Sequence, residues 1–429
     1  MSKQILRALP ELVQAGIIDE ATAERVKVYY DHQGSASGNR LFVVFGILGA
    51  MLVGMGIVLI LAHNWDDLSR SVRVTIGILP LLAGQILAGR LIFKGIDNRT
   101  WREGTGAFLF CAIGVCLSVV SQAYNMGGDL ADFLLTWMCL AVPIIYVLGS
   151  GTTAMLCIAG ITWYGCELSY FTYLGSHAAP MYWAVIASIL PNYYYTYLRP
   201  QLKNNFYVLI SWLLVLSLTI CLATVGENTG RLFLIAYVSL FSAFVIAGES
   251  DLFQTGRVLS NSFLVVGSLG VVAILLTASF VDFWDWESNL DVADYSTLGI
   301  VMVALMTLIA ASALVVHVRS KGVAAVNTKA YAFLFFIAVY FIGAQSAAIG
   351  ALLMNLGILV LAVYTIRSGA QQNHLGILNY GLLIITALIL CRFFDTDLSF
   401  VVRGLLFIGV GVGFFGTNYY LIKQRRGNT

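Results

Sequence analysis

Apolar residues along this chain come in long runs separated by short polar gaps. About fourteen such runs fill residues 41–421. We place them near 41–63, 72–93, 104–124, 133–149, 152–168, 178–198, 206–225, 231–247, 258–281, 296–317, 330–344, 347–366, 376–392 and 399–421. A helix rises about 1.5 Å per residue, so the first run reaches ~34 Å, enough for a ~30 Å hydrocarbon core. Several others lie near the lower limit of about 17 residues. Only elements that satisfy their own backbone hydrogen bonds can cross lipid, and runs of this length do so as helices. The pattern predicts an all-α, polytopic integral membrane protein with about 14 transmembrane helices.

Residues 330–366 carry no charge. As one straight helix they would reach roughly 55 Å, too long for a bilayer. The flanking Lys329 and Arg367 share a side if the chain turns back near Gly343-Ala344-Gln345-Ser346. Two short crossings or a re-entrant pair both satisfy this, and the second leaves 12 full spans. Pro80, Pro143 and Pro191 fall inside runs and are expected to kink them. The similar Ile78-Leu79-Pro80 and Ile189-Leu190-Pro191 hint at an internal repeat. Gly409, Gly411, Gly413 and Gly416 give the last helix a small face suited to close packing.

Residues 1–40 are polar, residues 41–421 form the membrane domain, and residues 422–429 form a basic tail. In the first segment Ile5, Leu6, Leu9, Leu12 and Val13 have helical spacing, Gly16 ends the turn, and Asp19 can cap a second helix. Two such helices cannot bury a core alone, so a solvated tail and a docking element are both compatible with them. The late onset of the first run argues against a cleaved signal peptide.

Composition agrees: 59% of residues are hydrophobic and 11% charged, with mean hydropathy +0.86. Soluble domains carry about 25% charge. Charge also sets an expected orientation. Arg70, Arg73, Arg231, Arg392 and Arg403 fall in one set of gaps, and the other 19 of 24 Lys and Arg fall in the alternate set. The acidic stretch 282–294 has no Lys or Arg. The positive-inside rule then places both termini in the cytoplasm. A net charge of +2 with no basic cluster excludes a nucleic-acid partner. All seven cysteines lie in apolar runs without CxxC spacing and read as small buried hydrophobes.

Charges in the middle of a span usually mark function, and this chain has almost none. The polar residues gather at one set of span ends instead. His63, Asn64, Trp65, Asp66 and Arg70 follow the first run; Gln122, Tyr124 and Asp129 follow the third; Glu167 closes the fifth; Arg392 and Arg403 flank the last gap. Converging, they would form a mixed-charge ligand-binding pocket for a polar head group or sugar. Equally, aromatic residues belong at interfaces, and charged residues cap helix ends. His63, Asp66 and Asp129 are metal-ligand types but lack a ligand spacing. No Walker loop, GxSxG or HExxH occurs, so no catalytic set, cofactor or metal is expected. Tyr193, Tyr194, Tyr195 and Tyr197 read as an interfacial aromatic belt, and Gln85, Gln345 and Asn355 as interhelical hydrogen-bond partners. Trp284 and Trp286 could dip into the interface.

Three segments carry a resemblance: Leu12-Val13-Gln14-Ala15-Gly16-Ile17-Ile18-Asp19 with Ala23-Glu24-Arg25-Val26; His63-Asn64-Trp65-Asp66 with Arg70 and Arg73; and Gln122-Ala123-Tyr124-Asn125 with Gly128-Asp129, Leu135, Trp137, Pro143 and Ser150. In order and spacing, about residues 8–150 resemble the bacterial membrane family of domain of unknown function 2157. The resemblance implies a multi-pass protein of the bacterial inner membrane with a cytosolic N-terminal helical segment, and it brings no activity.

Two function classes follow. One is binding or translocation of an amphipathic or lipid-linked substrate at the extracytoplasmic helix ends. The other is non-enzymatic membrane assembly or sensing, with a protein partner docked on residues 1–40. Membrane lipids are partners in either case, an enzyme is the less favoured reading, and nothing sets an oligomeric state.

Overall fold

A computed structural model describes residues 9–10, 12–26, 65, 67–171, 179–200, 204–226, 229–253, 258–284, 296–322 and 326–393, with isolated positions at 52 and within 401–415. The regular structure of these residues is all helical. The chain divides into two compact units, Met1–Ile76 and Gly77–Thr429. In the first, residues 12–14 and 20–26 are helical. Between them Gly16 adopts φ +66°, the left-handed conformation that ends a helix at low cost. The expected spans 41–63 and 399–421 lie outside the described residues, apart from those isolated positions.

Twelve α-helices follow: α1 (Arg70–Phe93), α2 (Arg99–Ala123), α3 (Leu130–Leu148), α4 (Gly151–Ser169), α5 (Pro180–Tyr193), α6 (Asn205–Leu222), α7 (Leu234–Glu249), α8 (Ser262–Thr277), α9 (Thr297–Lys321), α10 (Ala332–Gly343), α11 (Ala347–Gln371) and α12 (Leu375–Phe393). Each apolar run between 72 and 392 is therefore a helix. Among the described residues, eight segments are long and apolar enough to cross a membrane: α1, α2, α3, Asn205–Val225, Gly230–Glu249, α9, α11 and α12. The expected count of about 14 is thus met only in part. In α8 the cause is local. Asn261 accepts from the Leu264 N–H at 3.1 Å and donates to Gly248 O at 2.8 Å, which starts the helix inside the apolar run and leaves 16 residues. The run near 330 similarly opens with a 3₁₀ turn, Thr328–Tyr331, before the 12 residues of α10.

The uncharged run 330–366 does turn back at Ala344–Ser346, as expected. A Cβ on Gly350 would lie 2.7 Å from Gly343 Cα, and one on Gly357 would meet the Phe335 ring. That register makes α10 and α11 an antiparallel hairpin. Trp284 fills the bend, buried against both glycines, with its indole N–H donated to Ala278 O at 2.8 Å.

Most of the long helices are apolar on both sides, yet covered on only one. On α9, Met302, Met306, Ala310 and Leu314 are buried, while Val301, Leu308 and Val316 are 55%, 67% and 68% exposed. In water so large an apolar surface would drive association; in a bilayer it faces acyl chains at no cost.

The described interior of the second unit holds two large apolar clusters and a small one of Ala88, Leu109 and Leu148. One large cluster gathers α2 to α6, the other runs from α6 to α12, and Trp183 and Leu218 pack on both. Of the eight crossing segments, the one containing α7 is the most enclosed. It can be so because α8 lies almost on its backbone: a Cβ on Gly267 would stand 2.7 Å from Phe241 O and 2.8 Å from Val245 N. Small hydroxyls tie the interior together, including Thr162 to Ser217 at 2.6 Å and Tyr182 to Ser217 at 2.7 Å.

Three expectations need correction. The tyrosine run is not one belt. A π-helical turn, Tyr194–Leu198, follows Pro191, and Tyr193 and Tyr197 turn inward while Tyr194 and Tyr195 face outward. Tyr193 stacks on Tyr207 and bonds Ser211 at 2.5 Å. Of the three uncharged polar residues, Asn355 bridges helices, donating to Ser279 O at 2.9 Å, whereas Gln85 is exposed and Gln345 sits in the α10–α11 bend. All seven cysteines are free, but only Cys157 and Cys221 are buried; Cys111 and Cys139 face outward, where lipid accepts them as well as the core does.

Candidate functional site

Antiparallel packing sorts the helix ends of the second unit into two sets. At the end containing Glu249 stand Arg90, Lys94, Arg99, Arg102, Arg199, Arg319, Lys321, Lys329 and Arg367. At the other end, among the described residues, stand Arg231 and Arg392 with Asp129, Asp132, Glu167 and Asp282.

Of the expected pocket residues, Gln122, Tyr124, Asp129, Glu167 and Arg392 belong to this second end. His63, Asn64, Asp66 and Arg403 lie outside the described residues. Trp65 and Arg70 belong to the first unit, where the guanidinium of Arg73 lies 5.4 Å from the Trp65 ring centroid and its Nε donates to Leu68 O. Arg70 begins α1 and is exposed.

In the second unit, Gln122, Tyr124 and Asp129 share the α2–α3 connection, and all three are exposed. Asp129 caps α3 by accepting the Asp132 N–H at 2.8 Å, the role its residue type favours. Asn125 and Gly128, at φ 48° and 156°, shape this turn. Half-buried Glu167 lies on the last turn of α4, which packs against α3. These four residues therefore form an acidic and amide-bearing group on neighbouring elements.

Arg392 belongs to a different group. Its guanidinium lies 4.4 Å from the Phe280 ring centroid, and Nη2 donates to Ser279 Oγ at 3.2 Å. Ser279 is also joined to Asn355 through its carbonyl. Three residues along the same segment, Phe283 carries Arg231 at 5.2 Å. One short stretch, 279–284, thus holds two arginines over aromatic faces and seats Trp284 in the hairpin bend. Between the acidic and basic groups stands the end of α6: Cys221 and Thr224 lie against Gly165 of α4 on one side, and the following turn touches α9 on the other.

Sequence reasoning missed Ser279 and Phe280 altogether. A serine and a phenylalanine at a span end carry no signal until the partner arginine, more than 100 positions away, is brought to them. It also missed a polar cluster at the opposite end. The Glu249 carboxylate accepts the Asn327 N–H at 3.3 Å and lies 3.8 Å from Nε2 of buried His317. Lys321 donates to Glu249 O at 2.7 Å and pairs with Asp251 at 3.5 Å. Lys329 is buried in the turn before α10, with its ammonium 4.8 Å from the Tyr380 ring centroid. Burial pushes this lysine down to about 8, while the nearby Glu249 charge pulls it back up.

A third polar contact is structural. Glu103 on α2 accepts the Gly151 and Thr152 N–H groups at 3.2 and 2.8 Å and the Ser150 hydroxyl at 2.9 Å, completing the start of α4. A groove of about 470 Å³ along α1, lined by Leu82, Gln85, Ile86, Gly89 and Phe93 with Arg90 and Lys94, involves none of the expected site residues. Among the described residues, no group of three or more His, Cys, Asp and Glu is arranged to hold a metal ion.

No curated protein and no solved structure matches this chain. A family match does exist, and it takes in the α2–α3 connection with Gln122, Tyr124 and Asp129 together with the Glu103–Ser150 contact. Over residues 10–154 the chain matches the family described as predicted membrane protein (DUF2157).

Proposed function

We propose that this membrane protein lies in a bacterial inner membrane with both termini in the cytoplasm. There it binds, and moves, an amphipathic or lipid-linked substrate at the extracytoplasmic helix ends. The orientation is supported by the sorting of charge: of the 11 described Lys and Arg in 77–429, nine lie at the Glu249 end and two at the Arg392 end.

The observation that carries the site is the pair of arginines held over Phe280 and Phe283. A guanidinium presented at the membrane boundary by an aromatic face and a serine hydroxyl suits a phosphate or carboxylate head group beside acyl chains.

The test is lipid capture. Full-length protein is reconstituted in nanodiscs with total bacterial lipid extract, and protein-associated lipid is measured by mass spectrometry. We expect enrichment of an anionic amphiphile over bulk, reduced about tenfold by Arg392→Gln and several-fold by Arg231→Gln, in keeping with ~1.4 kcal/mol per lost charge-assisted bond. No enrichment in the unaltered protein, or enrichment indifferent to both substitutions, would sink the proposal.

A further inference from the structure

We propose that the turn 326–331 is a proton-weakened catch: it docks on the end of α7 more tightly with Lys329 neutral than with Lys329 protonated. The geometry makes this an unusual place for a cation. Lys329 lies on a four-residue 3₁₀ turn between α9 and α10, outside the apolar stretch of α10, yet it is only 6% exposed. Ala330 and Val326 beside it are buried as well, and Ser242 of α7 donates to the Lys329 carbonyl at 3.3 Å. The whole turn is therefore seated, and the lysine is carried in with it.

The charged and titratable groups around the turn come from each neighbouring element: Glu249 on α7, Asp251 just after it, His317 and Lys321 on α9, and Tyr380 on α12. Lys321 is engaged with Asp251 and the Glu249 carbonyl. The Glu249 carboxylate is left to serve the Asn327 N–H, the His317 ring and the Lys329 charge together. A carboxylate shared in this way compensates a buried ammonium only in part, and the Tyr380 ring adds a modest attraction.

The sign follows from linkage. The lysine sits at about 8 in the docked turn and near its ordinary 10.5 once exposed. The released turn therefore binds more protons between these values, and docking strengthens as pH rises through that window. Worked through, the docking equilibrium improves about tenfold between pH 7 and pH 9.

The experiment is hydrogen–deuterium exchange of the 326–331 amides in full-length protein in nanodiscs at pH 7 and 9, corrected for intrinsic exchange. Protection should rise about tenfold in the unaltered protein. Lys329→Met should abolish the dependence and give high protection already at pH 7. Glu249→Gln should move the transition to lower pH, because the carboxylate is what favours the charged lysine, and this second variant keeps the test decisive if the first does not fold. Protection that does not change with pH, or a dependence that survives in Lys329→Met, overturns the proposal. The outcome is independent of any substrate at the Arg392 end.

Discussion

Gly267→Ala adds one methyl group at a place where α8 comes close to the α7 backbone. The new Cβ would stand 2.7 Å from Phe241 O and 2.8 Å from Val245 N, with Phe244 Cβ at 2.9 Å. Ordinary contact begins at 3.4 Å, so the overlap is about 0.7 Å, and two of the three neighbours are backbone atoms that no rotamer change can move. The helices must separate by a comparable amount. A gap of that order forfeits a quarter to a half of each nearby dispersion contact, and overpacking typically costs ~1–3 kcal/mol. We expect about 2 kcal/mol for Gly267→Ala and about 3 kcal/mol or more for Gly267→Val. Unfolding by sodium dodecyl sulfate in mixed micelles, followed by tryptophan fluorescence, measures both. Gly104→Ala is the control: nothing lies within 4 Å of its added Cβ. It should be neutral or stabilising by up to ~1 kcal/mol through helix propensity. Gly267→Ala within ~0.5 kcal/mol of the unaltered protein would refute backbone-close packing of α7 on α8.

Trp284→Ala should empty the α10–α11 bend and cost ~3–5 kcal/mol in the same unfolding assay. Local exchange should rise first around residues 340–350. Glu103→Ala should leave the Gly151 and Thr152 N–H groups without their carboxylate and cost ~1–3 kcal/mol; a change below ~0.5 kcal/mol would mean that water replaces it fully. For orientation, single cysteines at Ser288 and Gln372 in a cysteine-free background should react with a membrane-impermeant maleimide from outside and only after lysis, respectively. The reverse pattern would invert the proposed sidedness and remove the extracytoplasmic site with it.

Helix placement was legible because a lipid-crossing helix must be apolar throughout, so its length is written in the run itself. The turn-back at 344–346 was legible for the same reason: an uncharged stretch of 37 residues is too long for one crossing. What misled was the assumption that every residue of a run is helical. Asn261 interrupts one run by capping α8, and the 3₁₀ turn at Thr328–Tyr331 shortens another. The glycines show the same gap: a close helix–helix seam is at Gly267, which the sequence does not set apart from the other glycines.

By itself, then, the chain determined its solvent and its periodicity. Hydrophobicity acts on each segment separately and needs no partner to be evaluated, so the membrane class, the helix positions and the alternation of charge are all local properties. Only the tertiary structure decided which polar groups meet. It separated Arg392 from Asp129, brought Ser279 and Phe280 to the arginine, and buried Lys329 beside Glu249 and His317. Those pairings span tens to more than a hundred residues and depend on the register in which helices pack. In helices apolar on every face, register is set by small-residue contacts and not by an amphipathic stripe.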